Sequence, residues 1–117
     1  MHELSIALSM LEIVKEQMAL HGAEKLRSVR VKIGEMTAVE PRSLLFCFEA
    51  CTKDTPLEGA VLDIETVPLA GRCRECGTEM RIEGYASHCP NCRSVSVEHV
   101  TGHELAVVSM EVDQADA

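Results

Sequence analysis

Two Cys-x-x-Cys turns, Cys73-Arg74-Glu75-Cys76 and Cys89-Pro90-Asn91-Cys92, stand twelve residues apart, and nothing else limits the fold so strongly. Each turn lets two thiolates point at one centre. Two such turns joined by a hairpin give a tetrahedral four-sulfur site. Gly77 relieves backbone crowding after the first turn. Soft thiolates in a tetrahedron select zinc first, with iron as the alternative. A rubredoxin-like iron site shares the spacing but usually comes with aromatic residues, and Tyr85 is the only one nearby. A thioredoxin-like redox pair would place a single such turn at the start of a helix. Six cysteines without a secretion signal point to a reducing compartment, the cytoplasm, where disulfides are disfavoured. Four cysteines close the coordination sphere, so the zinc is expected to be structural rather than catalytic. The segment from 70 to 103 shows no periodic apolar face, and so short a lobe draws its folding free energy from the metal.

The rest of the chain reads as a frame around this excursion. Leu4, Ala7, Leu8, Leu11, Val14 and Met18 recur at helical spacing, and His21-Gly22 ends that helix. Val29, Val31 and Ile33 alternate with Ser28, Arg30 and Lys32, which predicts a half-buried strand. Glu40-Pro41 starts a second helix, with Leu44, Leu45, Phe48 and Cys51 as its buried stripe and Thr55-Pro56 closing it. Leu62 and Ile64 mark a second strand. Ala106, Val108, Met110 and Val112 mark a third, and Asp113 to Ala117 read as a frayed end. The expected fold class is α+β: two helices on a small three-stranded mixed sheet, with an inserted four-Cys zinc-ribbon lobe. The expected division is 1–69 plus 104–117 for the frame and 70–103 for the zinc-binding domain. Cys47 and Cys51, four apart on the second helix, read as small buried hydrophobes.

Charge and composition narrow the function. The net charge is −8, and Lys and Arg never cluster. Between Gly71 and Arg93 four arginines meet three glutamates, so a zinc tetrathiolate would leave the lobe slightly negative. That is a poor footprint for phosphate, and Phe46, Phe48 and Tyr85 are too few for base stacking. No nucleic acid is expected as a partner. No apolar run approaches the length of a membrane span, and the N-terminus does not read as a signal peptide, so no membrane is expected either. No GxxxxGK[ST] loop and no nucleophile–base constellation is present, which argues against an enzyme. His21, His99 and His103 read as surface residues.

Met1-His2-Glu3 is the second informative feature. The Met1 α-amine, the His2 amide and the His2 imidazole can close two fused chelate rings. Nitrogen-rich tetragonal sites suit Ni(II) and Cu(II) rather than zinc. An α-amine and an imidazole both shed protons near neutrality, so a metal can displace them there. A carboxylate could complete the site, and Glu3 and Glu40 are the candidates.

The joint pattern resembles the HypA/HybF family of nickel metallochaperones for hydrogenase maturation. The resemblance is carried by Met1-His2-Glu3-Leu4-Ser5, Val31-Lys32-Ile33-Gly34-Glu35-Met36, Val39-Glu40-Pro41, the two Cys-x-x-Cys turns, Gly102-His103-Glu104-Leu105 and Met110-Glu111-Val112. It implies a nickel-binding α/β domain with an inserted zinc domain. It implies Ni(II) as cargo at Met1, His2, Glu3 (through its backbone amide) and Glu40, and structural Zn(II) on Cys73, Cys76, Cys89 and Cys92. It implies a HypB-type nickel GTPase and the nickel–iron hydrogenase large subunit as partners, and it allows a homodimer. Members that also serve urease carry histidines beside the cysteine pairs. Here His88 precedes Cys89 but Arg93 follows Cys92, a departure from that pattern. The competing functional class is a zinc-ribbon adaptor that docks a protein partner without metal transfer, and a nucleic-acid-binding ribbon ranks third.

Overall fold

The computed structural model describes residues 2–83 and 88–114. It divides into two compact units. The first comprises Met1–Lys32, Val39–Glu65 and Ala106–Ala117, and the second Ile33–Ala38 and Thr66–Leu105. Tyr85 lies outside the described residues.

The first unit holds both helices and a three-stranded sheet. Helix α1 runs His2–Leu20 and helix α2 Pro41–Thr52, and the two pack on each other. Strand β1 (Ala23–Gly34) lies between β2 (Val61–Val67) and β6 (Leu105–Gln114). The alternation in β1 holds: Val29, Val31 and Ile33 are buried, while Arg30 is exposed and Ser28 and Lys32 are half-buried. The strand begins earlier than its apolar run, at Ala23, because Leu26 is buried as well. Gly22 ends α1 in the left-handed conformation (φ 65°), where glycine carries no Cβ penalty.

Three expectations about buried faces need correction. In α1 the buried residues are Ile6, Ala7, Met10, Leu11, Val14 and Met18, while Leu4 and Leu8 are exposed. In α2 they are Leu44, Cys47, Phe48 and Thr52, and Leu45 and Phe46 face solvent. Residues 44–48 are apolar without interruption, so spacing alone does not choose a face. The helix also stops at Thr52, short of Thr55-Pro56, where the Thr52 hydroxyl donates to the Phe48 and Glu49 carbonyls. In β6 no residue is buried. An open groove of ≈ 580 Å³ between α1 and β6, lined by Ile13, Val14, Val108 and Met110 among others, leaves its apolar side chains half covered. Asp113 and Gln114 are part of β6 rather than a frayed end, and Arg27 Nε donates to Asp113 at 2.7 Å. Ala115 to Ala117 lie outside the described residues.

The second unit contains a sheet that the apolar pattern did not announce. Strand β3 (Ala70–Cys73) pairs antiparallel with both β4 (Glu79–Arg81) and β5 (Val97–Thr101). Its small core is Leu69, Ile82, Cys73 and Cys89. Gly71 sits where a Cβ would stand 2.7 Å from Val97 and 2.8 Å from Ile82, so only glycine lets these side chains close over β3. No helix is long and apolar enough to cross a membrane among the described residues.

Candidate metal centre

The two Cys-x-x-Cys turns are built alike. The Gly77 amide donates to the Cys73 carbonyl (2.9 Å), and the Arg93 amide donates to the Cys89 carbonyl (2.8 Å). The Cys73 amide donates to the Thr78 carbonyl (2.9 Å), and the Cys89 amide to the Ser94 carbonyl (2.8 Å). Both turns end in a left-handed residue, Gly77 at φ 78° and Arg93 at φ 65°. Sequence reading singled out Gly77 and missed Arg93, although each stands four residues after the first cysteine of its turn. Within the turns, amides point at sulfur: Cys76 at Cys73 (3.5 Å), and Asn91 and Cys92 at Cys89 (3.4 Å each).

These turns bring Cys73, Cys76, Cys89 and Cys92 together with every Sγ within 4.8 Å of the others. The Cys73–Cys92 and Cys76–Cys89 sulfurs lie 3.5 Å apart. Zinc–sulfur bonds of about 2.3 Å in a tetrahedron separate the sulfurs by ~3.8 Å, inside the observed range. The residues present therefore fit a closed four-sulfur metal site, with Cys73 and Cys89 buried and Cys76 and Cys92 at the surface.

The thiols are unequal. The Thr78 hydroxyl, 3.1 Å from Cys76 Sγ, holds the Cys76 thiol down at about 5, assisted by the Thr78 amide and the Asn91 side chain. The Cys76 amide lowers Cys73, with burial opposing it. Cys92 moves the other way, up to about 12. The Ser94 amide pulls it down, but Cys73, burial, Cys76 and Cys89 outweigh that pull. Four sulfurs this close cannot all ionise without a cation among them, so a divalent metal displaces protons when it enters.

Three of the lobe's four arginines face carboxylates: Arg72 with Glu79 (3.0 Å), Arg74 with Glu98 (3.7 Å) and Arg81 with Glu35 (3.5 Å). This pairing removes most of the free cationic surface that phosphate would need.

At the other candidate site, Met1 lies outside the described residues. His2 is exposed and opens α1. Glu3 is half-buried in the first turn, with its carboxylate 3.4 Å from the Glu40 amide, which donates to it. Glu40 caps α2: its own carboxylate accepts from the Ser43 amide at 2.8 Å, and Pro41 follows in the first turn, as its sequence position predicts. That amide is the main reason the Glu40 carboxyl is held below its ordinary range. Among the described residues the four cysteines are the only cluster of three or more His, Cys, Asp or Glu donors, so His2, Glu3 and Glu40 do not form a second one. Cys47 is buried and Cys51 half-buried on α2, away from any such cluster.

A family model described as "Hydrogenase/urease nickel incorporation, metallochaperone, hypA" matches residues 1–112. The chain belongs to the HypA family. The Hydrogenase maturation factor HypA of Geobacter metallireducens is 43% identical over 97% of this chain and 100% of the relative. The factor of the same name from Trichormus variabilis is 42% identical over 97% of each chain. A solution structure of HypA protein matches with a TM-score of 0.72 at 26% identity, covering 96% of both chains. The solution structure of the Ni metallochaperone HypA from Helicobacter pylori shares the fold, with a TM-score of 0.68 at 24% identity. The chain is thus a member of a nickel metallochaperone family of hydrogenase maturation, with an α+β fold and a four-Cys cluster that could hold a metal.

Proposed function

We propose that the chain is a carrier that binds Ni(II) at its N-terminus and delivers it, with a HypB-type GTPase, to the large subunit of nickel–iron hydrogenase in the cytoplasm. The observation that carries this reading is the position of His2 at the start of α1. The first four amides of a helix have no acceptor inside it. The amides of His2 and Glu3 can therefore give up their protons to a metal without breaking the helix ladder. The Met1 amine, the His2 amide and imidazole and the Glu3 amide supply nitrogen donors, which favour tetragonal Ni(II) over zinc. Glu40 is the reserve carboxylate, reached only by leaving its capping bond to Ser43. The exposed position of His2 lets a partner's ligands attack the ion and take it stepwise. The protein performs no reaction of its own in this scheme; nucleotide hydrolysis belongs to the partner.

In the same reading Zn(II) sits on Cys73, Cys76, Cys89 and Cys92, and its role is to fold the lobe. Nickel is assigned to the frame of 1–69 plus 104–117 and zinc to 70–103. The test is a nickel titration of untagged, zinc-loaded protein beside His2→Ala, with zinc quantified in both. Tight nickel binding near one per chain that is lost in the variant, with zinc unchanged, supports the carrier; any weaker binding that remains is not at the N-terminus. Equal weak binding in both leaves a zinc-ribbon adaptor as the better account.

A further inference from the structure

His99 lies in β5 and His103 just beyond it. Residues four apart along an extended strand are ~13 Å apart. Here His99 Nδ1 and His103 Nε2 stand 2.9 Å apart, with ring centroids 5.2 Å apart and ring planes 23° from parallel. Two backbone features bring them together. Val100 is an extra residue in β5, because Ala70 pairs with Thr101 while Gly71 pairs with His99. Gly102, at φ 109°, then turns the chain back.

That turn is pinned on every side. The Met36 amide donates to the Gly102 carbonyl (2.8 Å) and the Gly34 amide to the Glu104 carbonyl (2.7 Å). The Gly102 amide donates to the Glu104 carboxylate (2.7 Å), and the Thr101 hydroxyl to the Pro68 carbonyl (2.9 Å). A Cβ on Gly102 would stand 2.7 Å from Leu69 Cα. The backbone thus holds two exposed imidazoles side by side.

We propose that His99 and His103 form a second metal site on the unit that carries the four cysteines, a two-imidazole chelate for a late divalent transition ion such as Ni(II). Metal–nitrogen bonds of ~2.0–2.1 Å at a right angle place the two nitrogens ~2.9 Å apart, against ~3.4 Å at a tetrahedral angle. The observed separation suits an octahedral or square-planar ion. In the metal-free protein the same separation serves an N–H···N hydrogen bond. On loading, the donor ring changes tautomer, its proton passing through solvent to its other ring nitrogen, so both neutral imidazoles offer a lone pair and no proton is lost overall. The neighbouring carboxylates are already engaged, Glu98 with Arg74 and Glu104 with the Gly102 amide. Water fills the remaining positions, which makes the ion exchangeable. That the ion is nickel rests on the carrier reading; that the pair binds metal rests on the two rings.

The experiment is a Ni(II) titration of full-length, zinc-loaded His2→Ala protein, followed by the ring signals of its histidines in NMR. Substoichiometric nickel is expected to shift or broaden His99 and His103 and leave His21 and His88 unchanged. Replacing either ring, His99→Gln or His103→Gln, should weaken the site about tenfold or more by ending chelation, with zinc content intact. Unperturbed His99 and His103 signals, or an equal response from all four histidines, overturn the proposal. A wild-type protein that responds at His99 and His103 but not at its N-terminus would sink the carrier's N-terminal site and leave this one standing.

Discussion

The Glu40 amide donates to the Glu3 carboxylate across 3.4 Å, so the first turn of α1 and the entry to α2 are joined through two of the residues expected to hold nickel. The bond uses the backbone of one and the side chain of the other. It leaves the Glu3 amide free for a metal and keeps the Glu40 carboxylate on Ser43.

Glu40 should therefore matter to stability before it matters to nickel. Its folded-state carboxyl is lowered chiefly by the Ser43 amide, so its contribution is complete above the ordinary carboxylate range and is lost as pH falls through the lowered folded value. Thermal unfolding of Glu40→Gln should show a lower Tm than wild type at neutral pH, and the gap should close in acid. Nickel stoichiometry should survive the change. A gap that persists in acid would contradict the capping role.

Blocking the α-amine should mimic removal of His2. An N-terminal extension or acetylation takes the Met1 amine out of the donor set while leaving α1 and the cysteines untouched. Nickel titration of such a protein is expected to lose the tight phase and retain one zinc per chain. Unchanged nickel affinity would place the site elsewhere.

Without metal the cysteines should react in a fixed order. Cys76 is exposed and its thiol is held at about 5, so it is a thiolate at neutral pH, whereas Cys92 is pushed to about 12. Timed alkylation of the chelated protein, read by peptide mass spectrometry, should label Cys76 well before Cys92. Zinc should protect both. Equal rates would show that the Thr78 hydroxyl does not hold the Cys76 thiolate.

The Gly34–Gly102 contact should tolerate no side chain. A Cβ on Gly34 would stand 2.2 Å from the Gly102 carbonyl group, and both partners are backbone. Gly34→Ala is expected to destabilise the protein by about 1–3 kcal/mol or more in urea unfolding. Because the same contact braces the turn at Gly102, the His99–His103 ring signals should move as well. A neutral substitution would mean that the turn yields easily.

The four sulfurs, the alternation of β1 and the start of α2 at Glu40-Pro41 were legible because each depends on local spacing. The sheet of β3, β4 and β5 was not, since strands of three to five residues around a glycine carry no periodicity. The exposed Leu45 and Phe46 were not legible because an unbroken apolar run fits any face of a helix. The meeting of His99 and His103 depends on an inserted residue and a reversed turn, and spacing by four in a strand argues against it. Thr78 and Asn91, which hold the Cys76 thiolate, carry no signal beyond their place beside a cysteine.

The place of β6 beside β1 bears on how the chain is made. During translation the four cysteines leave the ribosome before β6 does, so β1 waits with one edge open until the final strand arrives. A product cut short before β6 carries every metal donor named above but presents an unpaired strand edge. Such edges invite aggregation, and incompletely folded chains are cleared by proteases. Pairing of β6 with β1 thus links the survival of the protein to the synthesis of that strand.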